Sequence, residues 1–154
     1  MKLTVAAVGR IREPWIRAGI EEYAKRLSRF CEVSVVEVDD APESLTLDKA
    51  MAAEAKRLLA KIRPDALVVA LDPAGTALDS VAFSRKLTGW MERGGAETVF
   101  LVGGSNGLAP EALARAAERV SLSPMTYPHA VARLLLLEQC YRGFKIAAGE
   151  RYHK

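Results

Sequence analysis

Four short β-branched, apolar runs, each followed by a stretch with helical spacing, constrain this chain more than any other feature. The runs are LTVAAVG (3–9), VSVVEV (33–38), ALVVAL (66–71) and ETVFLV (97–102), with VSLS (120–123) as a brief fifth. Their length and composition predict buried strands. After the first, Pro14 suits the opening turn of a helix, and Ile16, Ile20, Tyr23, Leu27 and Phe30 recur on one face. Leu47, Met51, Ala55, Leu58 and Ile62 mark a second helix, ended by Arg63-Pro64. Asp79 is a plausible N-cap for a third, which buries Phe83, Leu87 and Trp90 and stops at Gly94-Gly95. Asp72-Pro73-Ala74-Gly75 is expected to cut the third strand. Pro110 starts a short helix to about Arg119, with no side-chain cap from Ala109, and a last helix follows PMTYPHA (124–130) and runs to about residue 146. Strands alternating with helices in this way predict an α/β fold, a mostly parallel sheet with helices on both faces. No linker or repeat divides the 154 residues, so one domain over 1–154 is expected.

Half the residues are apolar and 27% are charged, the balance of a soluble globular protein. No apolar run approaches the roughly 20 residues that span a bilayer. MKLTVAAVGR is too short and strand-like for a signal peptide, so a cytoplasmic protein with no membrane partner is expected. Cys31 and Cys140 offer neither a disulfide framework nor metal-ligand spacing and read as buried small hydrophobes, and no metal is expected. Charge is uneven. Residues 1–30 carry seven Lys/Arg against three Glu, residues 31–125 carry ten against fourteen acids, and residues 126–154 carry five against two. If the two basic ends meet in space they form a positive face suited to a polyanion; the other reading is ordinary solvated helix faces.

In a parallel sheet the ligand crevice lies outside the carboxyl ends of the strands, which picks out Asp72–Gly75, Gly103–Gly107 and Pro124–His129 together. Glycines at 103, 104 and 107 let backbone approach a ligand closely, though a tight turn alone also needs them. The dinucleotide fingerprint and the P-loop are both missing, and these three loops hold no Lys or Arg. That disfavours a phosphate-rich cofactor. An adenine nucleoside bearing a sulfonium suits glycines, backbone amides, Leu122, Met125 and Tyr127 better, although several cofactors stay open on this ground alone. In the last helix, Leu134 to Leu137 put apolar groups on more than one side, which suggests a twin subunit or burial between two elements of the same chain. The ending collects Arg142, Lys145, Arg151, Tyr152, His153 and Lys154, groups able to hold phosphates and to stack on an unpaired base.

LVGGSNGLAPE (101–111), LSPMTYPHAVARLLLLEQCYRGFKI (122–146) and GERYHK (149–154), with MKLTVAAVGR in front, resemble the bacterial family of ribosomal large-subunit pseudouridine N3-methyltransferases, of the SPOUT class of S-adenosylmethionine enzymes. The similarity covers essentially the whole chain. It implies a SPOUT-type α/β fold with a C-terminal trefoil knot, where generic rules favour an unknotted sheet. It implies S-adenosyl-L-methionine contacts at Leu71, Gly103, Leu122, Ser123, Pro124, Met125, Thr126 and Tyr127. It also implies a homodimer whose active site is completed across the interface, and a pseudouridine of 23S rRNA on the assembled ribosome as substrate, with Arg142, Tyr152 and His153 at the RNA.

Arg151 stands where the family usually has proline, which frees the backbone before Tyr152 and His153 and adds a charge. Ala109 replaces a frequent capping hydroxyl, at a cost of roughly 1 kcal/mol. The implied reaction is in-line transfer of a methyl to an imide nitrogen, with catalysis mostly by positioning. Arg142 is the expected stabiliser of the anion and His153 the expected proton acceptor. The alternative is a dimeric RNA-binding or nucleotide-sensing module without catalysis.

Overall fold

The structure, a computed structural model, describes residues 1–154. Its elements are β1 (Lys2–Val8), α1 (Pro14–Leu27), β2 (Glu32–Val38), α2 (Leu47–Leu59), β3 (Leu67–Ala77), α3 (Ser80–Arg93), β4 (Glu97–Val102), α4 (Pro110–Arg115), β5 (Glu118–Ser121) and α5 (His129–Ala147). All five strands pair in parallel, in the order β2-β1-β4-β3-β5. Side chains of a strand alternate between faces, and the core divides accordingly. Leu3, Val5 and Ala7 of β1 and Phe100 and Val102 of β4 join one cluster with Ile16, Ile20, Phe83, Leu87, Leu136 and Leu137, so α1, α3 and α5 cover that face. Ala6, Val8, Val99 and Leu101 join the opposite cluster with Ala55, Leu58 and Ala112, under α2 and α4. The expected sheet with helices on both faces is what forms.

Trp90 is fully buried, edge-on to Phe83 and Phe100 at centroid distances of 5.9 and 5.8 Å. Its Nε1–H donates to Glu118 at the start of β5 (3.0 Å), and Lys86 and Arg93 donate to the same carboxylate at 2.8 Å each. Lys86 first, then Trp90 and Arg93, hold the Glu118 carboxyl down at about 2 against the opposing effect of burial. A depressed carboxyl stabilises the fold fully above its ordinary value of 4.5, and that contribution is lost as pH falls through about 2. Glu118→Gln is expected to lower the unfolding free energy by about 1–2 kcal/mol at pH 7. Denaturant titrations repeated toward pH 2 should show the gap to wild type closing.

The bounds of four elements, β3, α4, β5 and α2, differ from the sequence reading, and the changes at β3 and β5 build the site. β3 does not end at Leu71. It runs on to Ala77, with its pairing to β5 broken between Leu71 and Thr76, both of which pair with Val120. Pro73 has no N–H to give a ladder, so residues 72–75 bulge out before the strand resumes. Gly75 permits the return, because a Cβ there would lie 2.7 Å from the carbonyl carbon of Arg119. α4 stops at Arg115 rather than Arg119, because Ala117 N–H already donates to Val68 O at 2.8 Å. β5 therefore spans 118–121 instead of 120–123, which leaves Leu122 and Ser123 in the following loop. α2 ends at Leu59, before Arg63-Pro64, as Lys61 and Ile62 turn back onto Leu58 and Leu59 carbonyls; Leu47 is 57% exposed and outside the core. Asp79 caps α3 as expected, accepting from Ala82 N–H at 2.7 Å, and Ala109 gives α4 no side-chain cap.

The α5 leucines divide by neighbour. Leu136 and Leu137 are fully buried, and Leu134 packs over Gly19 of α1. The chain's own core thus takes up Leu136 and Leu137 fully and Leu134 in part. Leu135 instead lines a hollow of about 210 Å³ with Leu78, Phe83, Leu122 and Tyr127. Cys31 and Cys140 are buried; burial raises the first thiol to about 11 and pushes the second well above its ordinary value, so neither supplies a thiolate nucleophile at neutral pH. No helix is long and apolar enough to cross a membrane.

Candidate active site

From edge strand β5 the chain must travel to α5, which packs against α3 and α1. The connecting loop, residues 122–128, therefore crosses the carboxyl ends of the strands. There it meets the β3 bulge and the loop after β4, and the three enclose a cavity of about 200 Å³. The carboxyl-end rule had selected these three segments.

Leu71 and Asp72 form one wall and Val102, Gly103 and Gly104 another. Of the residues expected between 122 and 127, Leu122, Ser123, Met125, Thr126 and Tyr127 line the cavity, whereas Pro124 is exposed and does not. The loop is held locally: Ser121 Oγ donates to Ser123 O (3.0 Å) and Met125 N–H donates to Ser123 Oγ (2.9 Å). The GGSNG turn is closed by a bridge between Gly104 and Gly107, with Gly107 at φ +77°. Gly103 has no room for a side chain: a Cβ would sit 2.4 Å from Gly107 C. His129 and Ala132, from the first turn of α5, also line the cavity. His129 closes the Pro124–His129 segment that the carboxyl-end rule selects.

No Lys or Arg lines this cavity, and its one carboxylate is Asp72. Asp72 accepts from Ala74 N–H at 3.0 Å and lies 3.9 Å from Arg119 outside. Glycine backbone, Leu71, Val102 and Leu122 beside one carboxylate fit a flat apolar base and a cation, not a polyphosphate.

Arg142, Tyr152 and His153 lie elsewhere. Arg142 is thirteen residues beyond His129 on α5, about 20 Å at a helical rise of 1.5 Å per residue. The tail folds back there: Tyr152 packs edge-on to Tyr141 at 5.0 Å and donates to Glu138 Oε1 at 3.2 Å. Arg142 donates to the same oxygen through Nε (3.1 Å) and Nη2 (2.7 Å), lies 4.7 Å over the Tyr152 ring, and reaches His153 Nδ1 with Nη1 at 3.3 Å. Burial first, then Tyr23 and Glu138, push the Tyr152 hydroxyl up to about 12, so it stays protonated. Hydrogen bonding to Glu138 raises the Arg142 pKa further.

The two basic ends do meet, because α1 packs on α5. Only part of the charge is locally compensated, in the pairs Arg26–Glu22, Arg29–Glu150, Arg142–Glu138 and Lys145–Glu150, and the joined ends keep an excess of cations. Glu138 is the residue the sequence reading missed; its spacing of four from Arg142 was the signal. Arg133 was missed too. It is 1% exposed and ties α5 to the sheet by donating to Val8 O and, at 3.2 Å, to Glu37, which also accepts from Ile11 N–H at 2.8 Å.

A family model described as a predicted SPOUT methyltransferase matches residues 1–153. Proteins named ribosomal RNA large subunit methyltransferase H are similar over their full length and the full length of this chain. One from Anaeromyxobacter sp. (strain K) is 49% identical over 154 residues, and one from Ruminiclostridium cellulolyticum is 45% identical over 159. Among solved structures, a tRNA methyltransferase of Aquifex aeolicus superposes with a TM-score of 0.56 at 14% identity, covering 92% of this chain and 70% of its own. A probable methylase family protein from Haemophilus influenzae gives 0.54 at 13%, covering 99% and 70%. These two speak for the fold. The full-length family match and the identity to the relatives, together with a glycine-walled cavity at the strand ends, place this chain in the SPOUT methyltransferase family.

Proposed function

We propose that this protein uses S-adenosylmethionine to methylate N3 of a pseudouridine in large-subunit ribosomal RNA, on the assembled ribosome, as a cytoplasmic homodimer. The observation that carries the reading is the cavity of glycine backbone and apolar side chains with no Lys or Arg, in a chain 45–49% identical over its full length to proteins named for that RNA. In it, Leu71, Gly103, Leu122, Ser123, Met125, Thr126 and Tyr127 hold the cofactor, which supplies a methyl group already activated on a sulfonium. Pro124 shapes the loop from outside. The crossing of 122–128 over the strand ends is where the family's trefoil knot is expected to thread.

The distance of about 20 Å between the His129 and Arg142 ends of α5 supports a dimer. A chain's own tail is too far away to serve its own cavity. A second copy packed with α5 antiparallel brings Arg142, Tyr152 and His153 to it, using the hollow at Leu135. Arg142 and Tyr152 then hold the RNA, and positioning supplies much of the rate.

The test is calorimetry with S-adenosylmethionine followed by label transfer to purified ribosomes. Binding with transfer to large-subunit RNA is expected. Binding to RNA without any transfer would identify a non-catalytic module instead.

A further inference from the structure

The docked tail also says which way the proton on His153 points. A guanidinium has five N–H donors and no lone pair to offer. Where Arg142 Nη1 meets His153 Nδ1 at 3.3 Å, the ring nitrogen is the acceptor, and the ring proton of the neutral imidazole sits on Nε2. Arg142 is itself fixed by its two bonds to Glu138 Oε1, and Glu138 Oε2 accepts from Gln139 Nε2 at 2.7 Å. Gln139 in turn accepts from Ser80 Oγ at 2.7 Å, at the start of α3. The geometry is therefore anchored on two helices before it reaches the tail.

We propose that His153 acts as a hydrogen-bond donor through Nε2–H, toward a ring carbonyl oxygen of the target base, and is not the group that takes the N3 proton. This rests on the methyltransferase reading above. An imide nitrogen is flanked by two carbonyls, and the charge left on deprotonation resides largely on their oxygens. A donor aimed at such an oxygen stabilises the anion as it develops. N3 gives its proton to solvent hydroxide, forming water, and its electron pair makes the new N–C bond while the pair of the S–C bond returns to sulfur. Tyr152 does not replace His153 as base, since its hydroxyl is held protonated and bonded to Glu138. The charged and titratable groups around the tail are Glu22, Tyr23 and Arg26 on α1, Arg29 in the turn after it, Glu138, Tyr141, Arg142 and Lys145 on α5, and Glu150, Arg151, Tyr152 and Lys154 beside it.

Two measurements test the assignment. In the full-length protein, long-range proton–nitrogen correlation spectra of the neutral His153 ring should show the Nε2–H tautomer; an Nδ1–H tautomer overturns the proposal, whatever the activity. In single-turnover methylation of ribosomes, glutamine carries an amide N–H near the position of Nε2 and has no basicity. His153→Ala is expected to lose about 100-fold or more, and His153→Gln to recover most of that loss with the rise of rate with pH retained. If His153→Gln is as slow as His153→Ala and the pH dependence flattens, His153 is the base. Wild-type protein that transfers nothing defeats the methyltransferase reading itself, and the tautomer still decides the assignment of His153.

Discussion

Replacing Gly103 with alanine is expected to weaken S-adenosylmethionine binding by at least about tenfold, the equivalent of 1.4 kcal/mol. The new Cβ would lie 2.4, 2.6 and 2.8 Å from the carbonyl carbon, oxygen and Cα of Gly107, all backbone atoms of the turn that faces the cavity. Side-chain rotation cannot relieve backbone overlap, so the GGSNG turn must move, and overpacking of this kind costs typically about 1–3 kcal/mol. Gly104→Ala is the control. Its Cβ meets Val8 Cγ1 at 3.1 Å and Asp40 Oδ1 at 3.4 Å, side-chain atoms that shift by tenths of an ångström. Calorimetry should show a large loss for Gly103→Ala and a small one for Gly104→Ala; equal affinities would remove Gly103 from the pocket wall.

The second large effect is at Arg133, which touches no expected ligand. Arg133→Ala is expected to destabilise the protein by about 3 kcal/mol, the lower end of what breaking a buried ion pair costs. The substitution leaves Val8 O without its donor and Glu37 without its cation, while Glu37, with 21% of its side chain exposed, recovers some hydration. It also empties the space of a side chain that is among the largest buried. The double variant Arg133→Ala/Glu37→Gln should be less unstable than the two single costs added, because the stranded carboxylate is gone. Urea titrations of the four proteins measure the coupling; strict additivity would show that the pair acts independently.

The strands of the sheet and the cavity were legible for one reason: buried parallel strands write themselves as short apolar runs, and ligands gather at their carboxyl ends. ETVFLV (97–102) is recovered residue for residue as β4. What sequence periodicity could not show was how β3 and β5 meet. Asp72-Pro73-Ala74-Gly75 has the composition of a strand end, yet the strand resumes at Thr76 and Ala77 because β5 supplies Val120 and Ser121 as partners. The two-residue shift of β5 follows from a single long-range bond, Ala117 N–H to Val68 O. Such choices depend on partners that are close in space and far apart in sequence.

The tail residues were found as a cluster of chemistry-bearing types, but their state was not legible. Composition presents Arg142 as a free cation; the fold gives it to Glu138 and turns its Nη1 on His153. Arg133 was hidden for a similar reason. An arginine set among AVARLLLL looks like a break in an apolar stripe, and only the position of Val8 O and Glu37 beneath it explains why it can be 1% exposed. The leucine run points the same way: three of its four members are taken up, fully or in part, by the chain's own core, so the case for a second copy now rests on Leu135 and on the separation of tail from cavity.

The expected product of this protein is an N3-methylated pseudouridine in large-subunit ribosomal RNA. Mass mapping of that RNA from a strain lacking the protein, with and without the gene restored, tests it most directly. One pseudouridine-containing fragment should be lighter by a single methyl group in the deletion strain and be restored by the wild-type chain. An identical methylation pattern in the two strains would contradict it.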